Sequence, residues 1–307
     1  MAKTKSGAFR LGRIAGIDLF LHWTWLLVAY FEIKNRDNAY TSQVWNVVEY
    51  LTLFGIVLLH EFGHALACRQ VGGTADQIML WPLGGVAYVS PPPRPGAVLW
   101  SIAAGPLVNV ALVPVTVGAY LLAARAGLDK NTSDAALFLF NIAWINAGLL
   151  IFNMLPIYPL DGGQILQSLL WFVLGRANSL YVVSALGMVA GLALIGLSAW
   201  AQNLWFLLVS AFIATRCWVG FQQARMLSRL MGGSRHEDLA CPACKTPPPY
   251  GNFWTCGHCR TKFDIFAYQA ECPECKQRFG DVQCPHCRER RPIAEWVPGG
   301  PVHTAES

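Results

Sequence analysis

Leu58-Leu59-His60-Glu61-Phe62-Gly63-His64-Ala65-Leu66 is the stretch on which the reading of this chain turns. It sets the pattern H-E-x-x-H inside an apolar run. On a helix, His60 and His64 lie one turn apart on one face, so both imidazoles can reach a single metal ion. Glu61 follows the first histidine and can act as a base toward a water at that metal. From Val47 to Cys68 the only acidic, basic or imidazole side chains are Glu49, His60, Glu61 and His64, over a length able to cross a bilayer. Ionisable groups at that depth are costly, and a functional role is their default reading.

Composition widens the inference to the whole chain. It is 54% hydrophobic and 13% charged, with mean hydropathy +0.38. A soluble globule carries about 25% charged residues, so the expected fold is a polytopic α-helical membrane protein with a soluble part. Residues 1–235 hold 15 Lys+Arg against 9 Asp+Glu, and residues 236–307 hold 8 against 9. The basic excess therefore belongs to the membrane part, where it is an orientation signal rather than a nucleic-acid surface.

Six transmembrane helices are expected, at about 17–31, 47–68, 97–124, 135–155, 179–200 and 203–222. The first follows the basic residues Lys3, Lys5, Arg10 and Arg13. No small-residue cleavage pattern succeeds it, so it is read as a retained helix, with His22 first as a hydrogen-bonded histidine and second as a residue of the metal site. Residues 78–89 are too short to span as a helix, and Pro82-Leu83-Gly84-Gly85 predicts a turn between two short strands. In Asn153-Met-Leu-Pro156-Ile-Tyr-Pro159-Leu-Asp161-Gly162-Gly163 two prolines and two glycines forbid regular helix. Such backbone survives at membrane depth only where it lines a cavity or is buried in protein. An amphipathic helix resumes at about 164–175. Gly187 and Gly191 read as ordinary small-residue helix packing.

Six spans place both termini on one side. Lys3, Lys5, Arg10, Arg13, Arg69, Arg94, Arg176, Arg216, Arg225, Arg229 and Arg235 lie on that side, against Lys34, Arg36, Arg125 and Lys130 opposite. The bias puts both termini in the cytoplasm. The cysteines agree: Cys241/Cys244, Cys256/Cys259, Cys272/Cys275 and Cys284/Cys287 form four C-x-x-C pairs, metal knuckles suited to a reducing compartment.

Catalytic zinc usually has three protein ligands. Two candidates for the third present themselves: Cys68, one turn beyond His64, and Asp161 in the broken segment. A carboxylate in an apolar span needs a partner, which favours Asp161.

With both motifs in view, His60-Glu61-Phe62-Gly63-His64 and Asn153-x-x-Pro156-x-x-Pro159-Leu160-Asp161-Gly162-Gly163 together resemble the site-2 protease family of intramembrane metalloproteases. The likeness covers about residues 15–220. It implies zinc held by His60, His64 and Asp161, with Glu61 as general base, cutting transmembrane segments of membrane-anchored regulatory proteins in a bacterial or archaeal cell membrane. It further implies that Gly105-Pro106 and Asn109 pack near the site, that Asn153 holds substrate backbone, and that the hairpin with Gly84 and Gly85 pairs with an unwound substrate. Asn153, Asn109, Gly84 and Gly85 are thus the candidate substrate-binding residues. The expected partners are the bilayer and a transmembrane protein substrate.

Residues 236–296 read as two zinc ribbons of four cysteines each, giving one catalytic and two structural zinc ions in all. Sequential pairing of the knuckles is the first expectation and an interleaved one the second; His258 and His286 are not expected to ligate. The charge balance, with Glu289 interrupting Arg288, Arg290 and Arg291, speaks against nucleic acid as a partner and for a cytoplasmic protein partner or a substrate gate. Residues 297–307 read as a flexible tail. Two rival functions are an inactive membrane scaffold and a zinc transporter or sensor.

Overall fold

The computed structural model describes residues 7–35, 39–81, 84–285, 287 and 289–297. The expectations placed on Lys3, Lys5, Arg36, Pro82, Leu83, His286, Arg288 and most of the tail lie outside them. The chain divides into two compact units between Phe221 and Gln222.

The first unit begins as strand where helix was expected. β1 (Ala8–Ile14) and β2 (Ile17–His22) form an antiparallel hairpin through Ala15 and Gly16, both at positive φ. Such turns match the twist of the strands they join. Helix α1 (Thr24–Asn35) follows, then α2 (Gln43–Gln70), β3 (Thr74–Trp81) and β4 (Gly84–Ser90). The predicted two-strand hairpin is thus half of a sheet ordered β1-β2-β3-β4, with β2 and β3 parallel. Arg69, near the end of α2, holds the sheet by donating to the carbonyls of Ala15, Gly16 and Ala75.

This corrects the first predicted span. Ile17–His22 is strand because β1 and β3 take up its backbone groups on both edges, and β3 lies far away in sequence. The two halves of the segment still run antiparallel to α2. Gly16 is at the Arg69 end, Ile17 and Leu19 share a core with Ala65 and Cys68, and Trp25 lies against Tyr50 and Phe54. Alone, α1 rises only about 18 Å, too little for a hydrocarbon core of about 30 Å.

The remaining helices are α3 (Pro95–Arg125), α4 (Asp134–Asn153), α5 (Asp161–Trp200) and α6 (Leu204–Gly232). Among the described residues, α2, α3, α4 and α5 are long and apolar enough to cross a membrane. α6 is also long enough, and its apolar run, residues 204–221, holds a single charged residue, Arg216. Gly175 breaks α5 with φ 76° and ψ 167°, separating the predicted amphipathic helix from the span that follows. Ser133 caps α4 and Ser42 caps α2, each accepting an amide of the first turn.

The second unit contains hairpins β5 (Trp254–Thr255) with β6 (Lys262–Phe263) and β7 (Asp281–Gln283) with β8 (Arg290–Pro292), then a 3-10 turn, Ile293–Trp296. Its core gathers Phe263, Ile265, Phe266, Val282 and Trp296 around the cysteines. Asp264 is buried and saturated. It accepts from the amides of Gly251, Phe266 and Ala267 and pairs with His236 Nε2 at 3.0 Å.

Candidate metal centre

His60 and His64 stand on α2, and Asp161 opens α5, where the helix N-terminus favours a carboxylate. Their ligand atoms converge. His60 Nε2 lies 3.1 Å from His64 Nε2, and Asp161 Oδ2 lies 3.0 Å and 3.3 Å from them. The opposite ring nitrogens are committed: His60 Nδ1 donates to Asn109 Oδ1 at 2.6 Å, and His64 Nδ1 to the Ser101 carbonyl at 3.0 Å. Because both partners are acceptors, the protons sit on Nδ1 and the Nε2 lone pairs face inward. Asp161 Oδ2 is buried without a hydrogen-bond donor. Three acceptor atoms so close repel one another unless a cation lies among them. Tetrahedral zinc with ligands at about 2.0–2.1 Å needs ligand–ligand edges of about 3.3–3.4 Å. The residues therefore fit zinc.

Close approach of backbone to side chain shapes the rest of the site. A Cβ on Gly105 of α3 would overlap the His64 ring, and a Cβ on Gly85 of β4 would overlap the Glu61 carboxyl. Glu61 is buried, and its Oε2 accepts the Ala87 amide of β4 at 2.8 Å. The Asp161 loop is held from several sides. Gln164 Nε2 donates to the Pro159 carbonyl, Cys217 of α6 donates its thiol proton to the Tyr158 carbonyl, and the Tyr158 ring lies where a Cβ on Gly220 would point. Gly187 and Gly191 meet α6 at Cys217 and Ala214, as packing contacts.

The candidate residues distribute unevenly. Asn109 is wholly buried, with its carboxamide spent on His60 and on Asn146 of α4, so it is not free to hold substrate as expected. Asn153 is half-buried at the end of α4, and Gly85 lies against Glu61. Cys68 faces the Thr74 carbonyl, away from the metal group. His22 is hydrogen-bonded to Thr24 and stacked on Trp81, at the end of a strand rather than within a helix. Sequence reasoning missed Asn146, the Ser101 carbonyl and the Ala87 amide. Only Asn146 left a signal, as a lone carboxamide in an apolar helix.

The eight knuckle cysteines form two further groups, and their pairing corrects the sequential expectation. Cys241 and Cys244 join Cys284 and Cys287, while Cys256 and Cys259 join Cys272 and Cys275. The second site is nested inside the first. The nesting follows from the chain end returning to its start: Ala240 donates to the Trp296 carbonyl, and Trp296 is buried in the shared core. Sγ–Sγ distances of 3.5–3.8 Å match the edge of about 3.8 Å that zinc at about 2.3 Å requires. Three knuckles share one turn, in which the first cysteine's carbonyl accepts from Lys245, Arg260 or Lys276, each at φ near 60°. His258 is exposed and outside both groups. These clusters fit a zinc ribbon.

The sequence also matches known proteins. The model of peptidase family M50 matches residues 49–131 and 114–197. Residues 49–197 form a peptidase family M50 domain. The chain is 32% identical over 208 residues to zinc metalloprotease MJ0392 of Methanocaldococcus jannaschii, covering 67% of this chain and 58% of that protein. It is 36% identical over 121 residues to stage IV sporulation protein FB of Bacillus subtilis, 38% of each chain. The solved site-2 protease from Methanocaldococcus jannaschii superposes with TM-score 0.53 at 28% identity, covering 70% of this chain and 95% of that one. The chain spans about half the length of the curated relatives it matches. It is a membrane protein, and its relatives' names point to zinc.

Proposed function

We propose that the chain is a zinc-dependent endopeptidase that hydrolyses peptide bonds inside transmembrane segments of membrane-anchored regulatory proteins. One observation carries the reading: His60 Nε2, His64 Nε2 and Asp161 Oδ2 converge, buried in an apolar bundle, next to the carboxylate of Glu61. His60, His64 and Asp161 hold the ion. When bound, zinc lowers the pKa of a water to about 7 and polarises the scissile carbonyl. Glu61 accepts the proton as the water oxygen bonds to the carbonyl carbon, then delivers it to the amide nitrogen as the C–N bond breaks. The segment Gly84–Gly85, without side chains, admits an extended substrate beside β4, and Asn153 holds its backbone. A helical substrate must first unwind, because its carbonyls are otherwise hydrogen-bonded.

Two structural zinc ions sit in the nested cysteine sites, which form a cytoplasmic double zinc ribbon that binds a protein partner or gates substrate. The reading takes six crossings, supported by the return of the chain along the length of α2 between Gly16, beside Arg69, and Gln43. Both termini are then on the cytoplasmic side of a bacterial or archaeal membrane.

The test is Glu61→Gln in the full chain, incubated in detergent with a labelled single-span peptide carrying Gly-Pro at mid-span. Wild type cuts within the apolar stretch, while the variant retains zinc and loses at least about 100-fold in rate. Equal cutting by both would remove Glu61 from the chemistry.

A further inference from the structure

Asn146 touches neither the ligand atoms nor any surface. It is wholly buried in α4, and its carboxamide makes two bonds to one residue. Its Oδ1 accepts from Asn109 Nδ2 at 2.8 Å, and its Nδ2 donates to the Asn109 backbone carbonyl at 3.1 Å. Asn109 Oδ1 then accepts from His60 Nδ1. An asparagine side chain can present either its oxygen or its amino group to a neighbour. Asn109 has no intrinsic reason to turn its oxygen toward His60. Asn146 supplies one: its own amino group is bound by a backbone carbonyl, which can only accept, so its oxygen must face Asn109. That oxygen demands the Asn109 amino group, and this leaves the Asn109 oxygen for His60. His60 must therefore carry its proton on Nδ1 and offer Nε2 to the centre.

We propose that Asn146 is a positioning residue for the metal centre. Through Asn109 it fixes the tautomer and ring orientation of His60, so that a backbone carbonyl in α3 sets the direction of a hydrogen-bond chain running from α4 to α2. The inference rests on the reading of His60 as a zinc ligand. Partners of this kind typically change metal affinity by about 10–100-fold. A hydrogen-bond chain also carries a signature that packing does not: its members act as one unit, so their losses do not add.

The experiment measures zinc affinity of the full chain by chelator competition, counting only zinc bound beyond that retained by His60→Ala, together with the visible spectrum of the cobalt-loaded protein. Asn109→Leu and Asn146→Leu each weaken binding about 10-fold or more and shift the cobalt bands, and the double variant is no weaker than Asn109→Leu alone. Asn109→Asp combined with Asn146→Leu, which keeps an acceptor toward His60 and removes the oxygen that would face the new carboxylate, retains near wild-type affinity. This variant separates the hydrogen-bond chain from a folding defect. Wild-type affinity in Asn146→Leu, or losses that multiply in the double variant, overturns the proposal. If wild type binds no more zinc than His60→Ala, the ligand assignment itself fails and the role of Asn146 falls with it.

Discussion

The amide of Ala87 donates to Glu61 Oε2 at 2.8 Å, which fastens strand β4 to the helix that carries both histidines. Gly85, two residues earlier, lies against the same carboxyl with no room for a side chain. A valine at Gly85 must push β4 and Glu61 apart. Displacements of about 1 Å at a reacting centre cost about 100-fold in rate. Gly85→Val is expected to lose that much peptide cleavage while keeping its zinc content; cleavage at the wild-type rate would show that β4 is not seated over Glu61 during turnover.

Gly105 makes the corresponding approach to the imidazoles. Because a Cβ there would overlap the His64 ring, Gly105→Ala is expected to release the membrane-site zinc while the cysteine sites keep theirs. Metal analysis of the purified protein should fall from about three zinc ions per chain to about two, as it should for His60→Ala and Asp161→Ala. Three ions in Gly105→Ala would place the His64 ring elsewhere.

The nested pairing predicts which thiols a lost ligand exposes. Cys241→Ser opens the site it shares with Cys244, Cys284 and Cys287. Those three should become alkylated while Cys256, Cys259, Cys272 and Cys275 stay protected. Protection of Cys284 and Cys287 with exposure of Cys256 and Cys259 would restore the sequential pairing.

Asp264 joins the segment at His236 to the inner site. Replacing it with alanine strands the amides of Gly251 and Phe266 and the His236 ring in a buried setting. Breaking such a pair costs about 3–5 kcal/mol. Zinc release from the cysteine sites should then occur at clearly lower denaturant concentration, with the membrane-site zinc unaffected.

The membrane class, four helices long and apolar enough to cross, and the residues that gather into the candidate metal groups were legible in the sequence alone. Each is written locally: apolar runs of bilayer length, histidines one helical turn apart, a Pro/Gly-broken segment around a lone carboxylate, paired cysteines. What it could not determine are the relations between residues far apart in the chain. Ile17–His22 is as apolar as a helix and became strand because β3 offered its edge. Asn109 resembled a residue near substrate and proved to be clamped by Asn146, on a helix of its own. The cysteine spacings allow sequential and nested pairing alike, and the return of Trp296 to Ala240 chose between them. Periodicity and residue chemistry act over a few residues, whereas pairing and hydrogen-bond direction depend on which surfaces meet, and only the tertiary structure decides that.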